Sequence, residues 1–558
     1  MVVAGALVAM TSNKIDPVDG GVAIWKDGHL CFALPEERVT RVKYDGGYTA
    51  ALNYALDKLD LTIEDLDALV LTSYGEPHSS DSNFYVQHDP NLKAISDRVY
   101  VSCSHHHAHA YAAARLSPYT DNLILILDNE GSMIGRQIAS TPFHNSMERA
   151  SAYISTEKGV ELLTRELFSK NTISLGEAFR RASYYCGFPS HQFAGKTMAL
   201  AAYGDKERFS QISLIEFSDG TLQVNLDTNY TDPSGSILRA FTKHGVSLAQ
   251  PRDPKEAFHQ DHYDVAALIQ HQLEVSVVAW AKSLLEATGQ QSLCVAGGVA
   301  YNCKLIAELE KQLGVPVFVP PSPGDQGIAV GGIFAFLENN LRLGGKLYPA
   351  EAYLGGSHRS DLNKIKKYSS LSAAKILEYS NKIELVCSIV KHLQADKVIA
   401  LVEGKSEYGR RALGARSLIG LPNERVSKKL RELKRREWFR PFGATMLDSF
   451  AERIFEDIMP DRYMLRAPVV SDKSQLSNLL HVDNTLRAQL VTRRDPLTIA
   501  DVLGHLEDEG TIPVLINTSF NLDGHPLVET DDQALQLFVE YQEIDAIVLV
   551  NSCVMLTR

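Results

Sequence analysis

The hydrophobic and polar positions along the chain alternate between two kinds of segment. Short apolar runs such as "LILILD" (123–128) and "SLCVAGG" (292–298) end in an acidic residue or in glycines. Segments such as "CKLIAELEKQL" (303–313) instead place apolar residues three and four positions apart, which predicts amphipathic helices. Buried strands that end in Asp or Gly turns before helices predict α/β layers, with ligands bound at the carboxyl ends of the strands.

This rhythm is interrupted between about residues 346 and 372 and then restarts. A chain of 558 residues is also too long for a single hydrophobic core. We therefore predict two domains, residues 1–355 and residues 356–558. In the second domain the pattern predicts, in order, a strand at 397–404, a helix at 425–439, a strand at 511–520, a helix at 530–541 and a strand at 546–556.

Charge and cysteine usage narrow the class of protein. The formal net charge is −12, which argues against a protein that coats nucleic acid with a broad basic face. The seven cysteines are odd in number, widely spaced and without a CxxC pair, so we predict reduced thiols and a cytoplasmic location. No run of about 18 apolar residues occurs, and we expect no membrane-spanning helix.

Four histidines within five residues, "HHHAH" (105–109), follow a predicted strand. On a helix His105 and His109 share one face, and such a pair is a common chelate for first-row metals. Asp128, at the end of the clearest buried strand, is well placed to add a carboxylate ligand, and Asp325 in "PGDQG" is a candidate fourth ligand. An exposed or helix-capping histidine cluster is the alternative, but the strand-to-helix junction favours a metal site.

A basic island lies far downstream at residues 425–440, with eight Lys and Arg residues against two Glu in an acidic chain. Further cationic side chains flank it, and "NTSFN" (517–521) adds hydroxyl and amide groups directly after a predicted strand. A solvated helix face or a nucleic-acid surface would also explain a basic run. Arg side chains combined with Gly turns and hydroxyl groups instead suggest a compact pocket for a polyanion such as a nucleotide or an acyl phosphate.

Ten segments, in their order along the chain, resemble the O-carbamoyltransferases of the nodulation and antibiotic-tailoring type, which are related to the maturation carbamoyltransferase of nickel–iron hydrogenases. The segments are "EERVTRVK" (36–43), "HHHAH" (105–109), "SLGEAFRRASYYCGF" (174–188), "GKTMALAAYG" (195–204), "AGGVAYNC" (296–303), "GDQG" (324–327), "EYGRRALGARS" (407–417), "KRREWFRPFG" (434–443), "HVDNTLRAQ" (481–489) and "NTSFNLDGHPLV" (517–528). The resemblance implies an α/β fold with an N-terminal actin-like ATPase domain, similar to the tRNA threonylcarbamoyl-transfer enzyme. It implies a C-terminal α/β domain similar to threonylcarbamoyl-adenylate synthase.

The resemblance also implies a two-step reaction. Carbamoyl phosphate and ATP would form carbamoyl adenylate and pyrophosphate, and the adenylate would carbamoylate an acceptor hydroxyl and release AMP. The acceptor would be a small natural-product alcohol, as in antibiotic biosynthesis, and the metal would be Fe(II). Carbamoylation of a nucleoside or of a hydroxymethylated nucleic-acid base is an alternative, and a non-catalytic nucleotide-binding regulatory protein is an alternative of another class. A homodimer is left open.

Site residues follow from the resemblance position by position. The metal ligands match His105, His109, Asp128 and Asp325. The positions that hold carbamoyl phosphate match Lys434, Arg440, Arg487 and Ser519, and those that face the nucleotide phosphates match Arg411 and Arg416. In the first domain the nucleotide-binding turn matches Gly297, Gly298 and Asn302, and the basic residues near the transferred group match Arg38 and Lys43.

Three positions depart from the family pattern. Val18 stands where His is usual, Asn129 replaces the Gly that follows the metal-binding Asp, and Arg410 replaces the Pro of "GPRALG". The first change leaves the general base for the acceptor hydroxyl without a candidate. The third adds a positive charge to a Gly turn.

Overall fold

The computed structural model describes residues 1–8, 19–73, 81–132, 134, 147–168, 172–188, 191–342, 345–471, 473, 476–522 and 524–558. Val18, the first of the three departures, lies outside the described residues.

Within these ranges the strands, numbered in chain order, are β1 (Val2–Val8), β2 (Gly21–Lys26), β3 (His29–Pro35), β4 (Ala68–Ser73), β5 (Val99–Val101), β6 (Asn122–Leu127), β7 (Glu148–Thr156), β8 (Gly159–Leu167), β9 (Ile215–Ser218), β10 (Thr221–Val224), β11 (Leu293–Ala296), β12 (Val317–Phe318), β13 (Tyr353–Ser357), β14 (Lys375–Glu378), β15 (Ile399–Val402), β16 (Lys405–Glu407), β17 (Arg416–Gly420), β18 (Gly443–Leu447), β19 (Ala488–Val491), β20 (Val514–Ser519), β21 (Ala546–Leu549) and β22 (Val554–Thr557).

The α-helices of the same ranges are α1 (Glu36–Thr40), α2 (Thr49–Lys58), α3 (Asp81–His88), α4 (His105–Leu116), α5 (Leu175–Tyr185), α6 (Ala194–Leu200), α7 (Pro233–Lys243), α8 (Gln260–Thr288), α9 (Cys303–Leu313), α10 (Ile328–Leu341), α11 (Leu362–Ser372), α12 (Lys382–Gln394), α13 (Glu424–Leu433), α14 (Asp448–Ile454), α15 (Thr498–Asp508) and α16 (Asp531–Glu540). None of these helices combines the length and the apolar character that crossing a bilayer requires.

The chain divides into two units, and each unit is made of two separate stretches of the sequence. Unit 1 comprises Met1–Ile15 and Leu66–Ala350, and unit 2 comprises Asp16–Asp65 and Glu351–Arg558. A segment of about fifty residues near the N-terminus therefore belongs with the C-terminal part of the chain. The assignment of one reaction step each to residues 1–355 and 356–558 stays a prediction.

Unit 1 contains two sheets built on buried parallel strands. In one, β1 pairs in parallel with β4, and β4 pairs in parallel with β5. The other has the order β12-β11-β6-β7-β8, in which β12, β11 and β6 are parallel and β7 and β8 are antiparallel. Every residue of β6 and β11 is buried, as their continuous apolar sequences predicted.

Unit 2 is built on a mixed eight-stranded sheet with the order β14-β22-β21-β15-β17-β20-β18-β19. Apolar side chains of α12 and α15 pack on one face of this sheet, and those of α11, α13, α14 and α16 pack in a second cluster. The hairpin β2–β3 pairs in antiparallel fashion around Asp27 and Gly28. Mixed sheets covered by helices confirm the predicted α/β class.

Two elements of unit 2 differ from the predicted pattern. Helix α13 ends at Leu433 rather than at residue 439, and Arg435 adopts a left-handed conformation with φ 44°. The predicted strand at 546–556 is two antiparallel strands, β21 and β22, joined by a turn at Val550–Ser552. The sequence interval 346–372, in which the pattern weakens, contains β13 and α11.

Candidate functional site

Four polar side chains of unit 1 converge from three places in the chain. His105 and His109 lie on the first two turns of α4, and Asp128 directly follows β6. Asp325 opens a short 3₁₀ turn that leads into α10. The structure thus brings together the four residues predicted as metal ligands, and we call them the His/Asp cluster.

The donor atoms of the His/Asp cluster face one another at short range. His109 Nε2 lies 3.2 Å from Asp128 Oδ2 and 3.6 Å from Asp325 Oδ1. His105 Nε2 lies 3.6 Å and 3.5 Å from the same two oxygens. Both imidazoles are fully buried, whereas the Asp325 side chain keeps 19% of its surface exposed. The cluster therefore has one partly open side, next to Asp325.

Close packing of α4 against α10 sets the distance between the histidines and Asp325. A Cβ built on Gly331 of α10 would lie 1.8 Å from the backbone oxygen of Ala108 on α4, so only glycine permits this approach. An ion pair between Arg115 of α4 and Glu338 of α10, with Arg115 Nε 2.9 Å from Glu338 Oε2, ties the same two helices together. Both contacts are buried inside unit 1 and fix the geometry of the cluster.

The predicted nucleotide-binding turn lies beside Asp128. Strands β6 and β11 pair in parallel, so the residues that follow them meet at the same sheet edge. Gly297 has φ 90°, and a Cβ on Gly298 would lie 3.1 Å from Asp128 Oδ1. Asn302 caps α9, because its Oδ1 accepts a hydrogen bond from Leu305 N. Gly298 therefore borders the metal-ligand candidate directly, and Asn302 stabilises the start of a helix.

Within the cluster the imidazoles and the carboxylates stabilise each other's charged forms. Burial alone would lower the pKa of His105, but the carboxylates of Asp325 and Asp128 outweigh burial and raise it to about 10. Burial would raise the pKa of Asp128, but hydrogen bonds and charge from the two histidines hold it well below its usual value. A metal ion that binds here must displace imidazole protons, because metals coordinate neutral imidazole.

The remaining histidines of the run have other partners. His106 Nδ1 shares a hydrogen bond of 2.8 Å with Ser151 Oγ, and its ring is fully buried. His107 Nε2 lies 3.2 Å from the Val160 carbonyl oxygen, and its ring stacks on Tyr153 with 5.1 Å between centroids. These contacts separate His106 and His107 from the donor set of the cluster.

The donor set fits a divalent metal. The four ligand atoms lie within 4.8 Å of one another. Bonds of about 2.0–2.2 Å to imidazole nitrogen and carboxylate oxygen allow opposite ligands to lie about 4.4 Å apart. Two imidazoles and two carboxylates carry a charge of −2 when the imidazoles are neutral, and nitrogen and oxygen donors suit iron, manganese and zinc.

Unit 2 contains a second polar centre, built around Lys434. Its Nζ lies 2.9 Å and 2.5 Å from the backbone oxygens of Ser519 and Asn521, and 2.7 Å from Asn521 Oδ1. Ser519 Oγ lies 3.3 Å from the same nitrogen. Helix α13 ends just before Lys434, where Arg435 adopts φ 44° and Arg436 N donates to the Arg431 oxygen at 2.9 Å, which closes the last turn.

Four further cations lie near Lys434, namely Lys43, Arg436, Arg440 and Arg487. We call these five residues the basic pocket. Burial, followed by the positive charges of Arg436, Lys43 and Arg440, lowers the pKa of Lys434 well below its usual value. Burial, followed by Arg440 and Arg487, does the same to the pKa of Arg436. An anion in this pocket would relieve the repulsion.

Two of the predicted site residues, Arg38 and Lys43, belong to unit 2, and the His/Asp cluster belongs to unit 1. Arg38 is buried and donates from Nη2 to the Gly409 backbone oxygen at 2.8 Å. Arg41, one turn further, donates to the backbone oxygens of Pro526 and Leu527 at 2.9 Å and 2.8 Å. Lys43, at the end of the same segment, acts as a positive charge on Lys434.

Arg411 and Arg416 have different surroundings. Arg416 is fully buried, and its guanidinium donates to five backbone oxygens at 2.6–3.1 Å, those of Gly356, Glu403, Gly404, Ala415 and Glu529. These bonds occupy all five N–H donors of the guanidinium, and the assignment of Arg416 to the nucleotide phosphates stays a prediction. Arg411 acts as a positive charge on the buried carboxyl group of Asp461.

Arg410, one of the departures from the family pattern, forms an ion pair with Asp19. Its guanidinium also lies over the Tyr44 ring, 5.0 Å from the centroid. Asp19 has φ 65°, a left-handed conformation that is uncommon outside glycine. Asp19 thus balances the added charge of Arg410 locally.

Sequence reasoning missed two members of the second centre. Arg436 lies within the basic segment 434–443, but a run of adjacent cations does not reveal which of them point inward. Asn521 is the last residue of "NTSFN" and accepts a hydrogen bond from Ser519 Oγ at 2.6 Å. The amide directly after a strand end was the signal that could have found it.

Family comparisons cover most of the chain. Residues 15–97 and 78–334 match the family model described as "Carbamoyltransferase N-terminus", and residues 390–556 match the one described as "Carbamoyltransferase C-terminus". Nodulation protein NolNO of Sinorhizobium fredii is 26% identical over 98% of this chain and 81% of its own length. Nodulation protein U of Rhizobium tropici is 26% identical over 91% of this chain and 90% of its own length.

An uncharacterized protein of Synechocystis is 27% identical over 96% of this chain and 94% of its own length. Among solved structures, HypF of T. kodakarensis matches 62% of this chain and 47% of its own, with 14% identity and a TM-score of 0.32. A TM-score this low does not establish a shared overall fold.

Proposed function

Because the chain belongs to the carbamoyltransferase family, as its ordered motifs predicted, we propose that it is an ATP-dependent O-carbamoyltransferase with one reaction step in each unit. The observation that carries this proposal is the presence of two separate polar centres in one chain. One is a cationic pocket suited to phosphorylated substrates, and the other is an anionic cluster suited to a divalent metal.

The first step activates the carbamoyl group in the basic pocket of unit 2. Atom balance requires water: carbamoyl phosphate is hydrolysed to carbamate and inorganic phosphate. A carbamate oxygen then attacks the α-phosphorus of ATP, the bond to the β,γ-phosphates breaks, and pyrophosphate leaves. One inorganic phosphate and one pyrophosphate are therefore released for each carbamoyl adenylate formed.

The residues of the basic pocket supply positive charge to this step. Both substrates are polyanions, so their approach needs cations that offset the repulsion in the transition state. Lys434 is held at three points by the 519–521 segment, and Ser519 offers a hydroxyl beside it. Arg440 and Arg487 add guanidinium groups that suit phosphate and carboxylate oxygens. The rigid placement of Lys434 avoids reorganisation during the reaction.

The second step transfers the carbamoyl group to an acceptor hydroxyl at the His/Asp cluster of unit 1. A divalent metal held by His105, His109, Asp128 and Asp325, for which we propose Fe(II), would supply Lewis-acid polarisation of phosphate and carbonyl oxygens. The new bond joins the acceptor oxygen to the carbamoyl carbon, AMP leaves with the electron pair of the broken C–O bond, and the hydroxyl proton is released to solvent. Gly298 places no side chain against Asp128, where a Cβ would lie 3.1 Å from its Oδ1.

The acceptor in this proposal is a small alcohol. The test supplies ¹³C-labelled carbamoyl phosphate, ATP and Fe²⁺ to the purified protein and screens hydroxylated small molecules by mass spectrometry. We expect one labelled carbamoyl group on the acceptor and AMP in equal amount. The contrary result would be labelled carbamoyl adenylate with no labelled product from any of the sugars, macrolides and nucleosides tested. The protein would then catalyse only the first step, and the proposed transfer to a small alcohol would be wrong.

A further inference from the structure

Only one of the three tryptophans of the chain is exposed to solvent. Trp25 and Trp280 keep 5% and 1% of their surface exposed, whereas Trp438 keeps 58%. Burial of an aromatic side chain is among the largest favourable contributions to folding, so an exposed indole forgoes that gain. Phe439, the next residue, keeps only 2% of its surface exposed, so an apolar interior lies within reach of this segment.

The exposure of Trp438 is not due to a loose backbone. Arg431 Nη1 donates to the backbone oxygens of Glu437 and Trp438 at 2.8 Å and 3.1 Å. His481 Nε2 lies 3.1 Å from the Phe439 backbone oxygen. Glu437 and Arg440 close a turn through the bond from Arg440 N to Glu437 O at 3.2 Å, with Trp438 at its tip. The indole is thus held outward on a pinned turn.

This turn is continuous with the basic pocket. Lys434, Arg436 and Arg440 belong to the same short segment, and the charge of Arg440 acts on both Lys434 and Arg436. Consecutive Cα atoms are about 3.8 Å apart, so the Cα of Trp438 is at most about 7.6 Å from that of Arg440. A flat ring attached through one sugar to phosphates in the pocket can reach this position.

We propose that Trp438 is the platform on which the adenine ring of ATP stacks while the phosphates occupy the basic pocket. This inference rests on the proposed function, because it places the nucleotide of the first step in unit 2. Base stacking on an aromatic side chain is insensitive to hydrogen-bond pattern, and the neighbouring cations supply the charge complementarity for the triphosphate. Trp438 thereby becomes a binding determinant for the nucleotide and not for carbamoyl phosphate.

Tryptophan fluorescence of the full-length protein tests this directly, since Trp438 is the exposed emitter. Titration with ATP should quench the emission, and titration with tripolyphosphate, which has the charge but no ring, should not. Trp438→Phe should abolish the ATP-dependent change. Quenching of equal size by tripolyphosphate, or quenching by ATP that persists in Trp438→Phe, would overturn the proposal.

Affinity measurements give an independent readout. Trp438→Ala should raise the Kd for ATP about tenfold, which is within the range of alanine substitutions at base-stacking residues, and leave the Kd for tripolyphosphate unchanged. Trp438→Tyr should restore most of the affinity. Ile383→Ala, at an exposed apolar position of α12 in the same unit, is the matched control and should leave both values unchanged. An unchanged Kd for ATP in Trp438→Ala would overturn the proposal.

The two proposals fail in distinguishable ways. ATP-dependent quenching without pyrophosphate release from carbamoyl phosphate and ATP would retain the stacking site and reject adenylate formation. Pyrophosphate release by Trp438→Ala with an unchanged KM for ATP would retain the reaction and reject the stacking site.

Discussion

At the residue scale, the His/Asp cluster shows how burial and charge are balanced. Two imidazoles and two carboxylates share a mostly buried space. The carboxylates raise the pKa of His105 and the imidazoles lower the pKa of Asp128, so both partners favour their charged forms. The spacing of His105 and His109 and the strand end at Asp128 made these residues predictable. The hydrogen bond between His106 and Ser151 was not predictable, because Ser151 lies on a strand 45 residues away.

Removal of one cluster histidine should abolish the metal site without affecting the first reaction step. For His109→Asn we expect loss of the bound divalent metal, measured by elemental mass spectrometry, and a fall in carbamoyl transfer of at least about a hundredfold. His107→Asn is the matched control on the same helix, because His107 contacts Val160 and Tyr153 and no cluster residue that the structure describes. Equal metal content in both variants would contradict the assignment.

Anion binding in the basic pocket should take up a proton. The pKa of Lys434 is lowered well below its usual value, and a bound anion raises the pKa of a neighbouring amine, so affinity should fall as the pH rises, by up to about tenfold per unit. Sulfate is the probe, since it does not titrate in this range. Calorimetry in two buffers of different ionisation enthalpy measures the uptake, and Lys434→Met should remove it. Binding of sulfate to the unmodified protein without proton uptake would contradict this account of Lys434.

At the scale of elements, local patterns predicted most strands and helices but not where α13 ends. Helix-forming residues continue past Leu433, and the sequence therefore predicted a helix to residue 439. The left-handed backbone of Arg435 and the bond from Arg436 N to the Arg431 oxygen instead close the helix end. The second centre instead depends on contacts of Lys434 with Ser519 and Asn521, more than eighty residues away, and such long-range contacts leave no local signal in the sequence.

The contact between α4 and α10 gives a prediction for the metal site. Gly331→Ala places a methyl group against the Ala108 backbone oxygen and should lower the free energy of unfolding by about 1–3 kcal/mol, because the helices must move apart. The separation of the histidines from Asp325 should then weaken metal binding. Asn340→Ala, at an exposed position of the same helix, is the control in thermal unfolding and metal titration. Metal affinity and Tm equal to those of the control would refute the packing argument.

At the scale of the whole molecule, the division into units is discontinuous in sequence. Residues 16–65 show the same strand and helix patterns as their neighbours, so nothing local indicated that they belong with residues 351–558. The contacts that decide the matter, such as Arg38 with Gly409 and Arg41 with Pro526, join positions hundreds of residues apart. Family resemblance predicted the chemistry of the site residues but not this arrangement.

A fragment cut at the predicted boundary should therefore be defective. Residues 356–558 alone lack β2, β3, α1 and α2, together with Arg38, Lys43 and their contacts. We expect the fragment to unfold at lower temperature than unit 2 does in the full chain and to form no carbamoyl adenylate. A fusion of residues 16–65 to 351–558 through a flexible linker should recover part of both properties. Full activity of the shorter fragment would show that the N-terminal segment is dispensable.

The most direct test of the two-centre account is the release of phosphate and pyrophosphate from carbamoyl phosphate and ATP by three proteins. The unmodified enzyme and His109→Asn should both release the two products in equal amounts, and only when carbamoyl phosphate is present. Lys434→Met should release at least about a hundredfold less pyrophosphate. Absence of pyrophosphate release from the unmodified protein with Fe²⁺, Mn²⁺ or Zn²⁺, or full release by Lys434→Met, would contradict adenylate formation in the basic pocket.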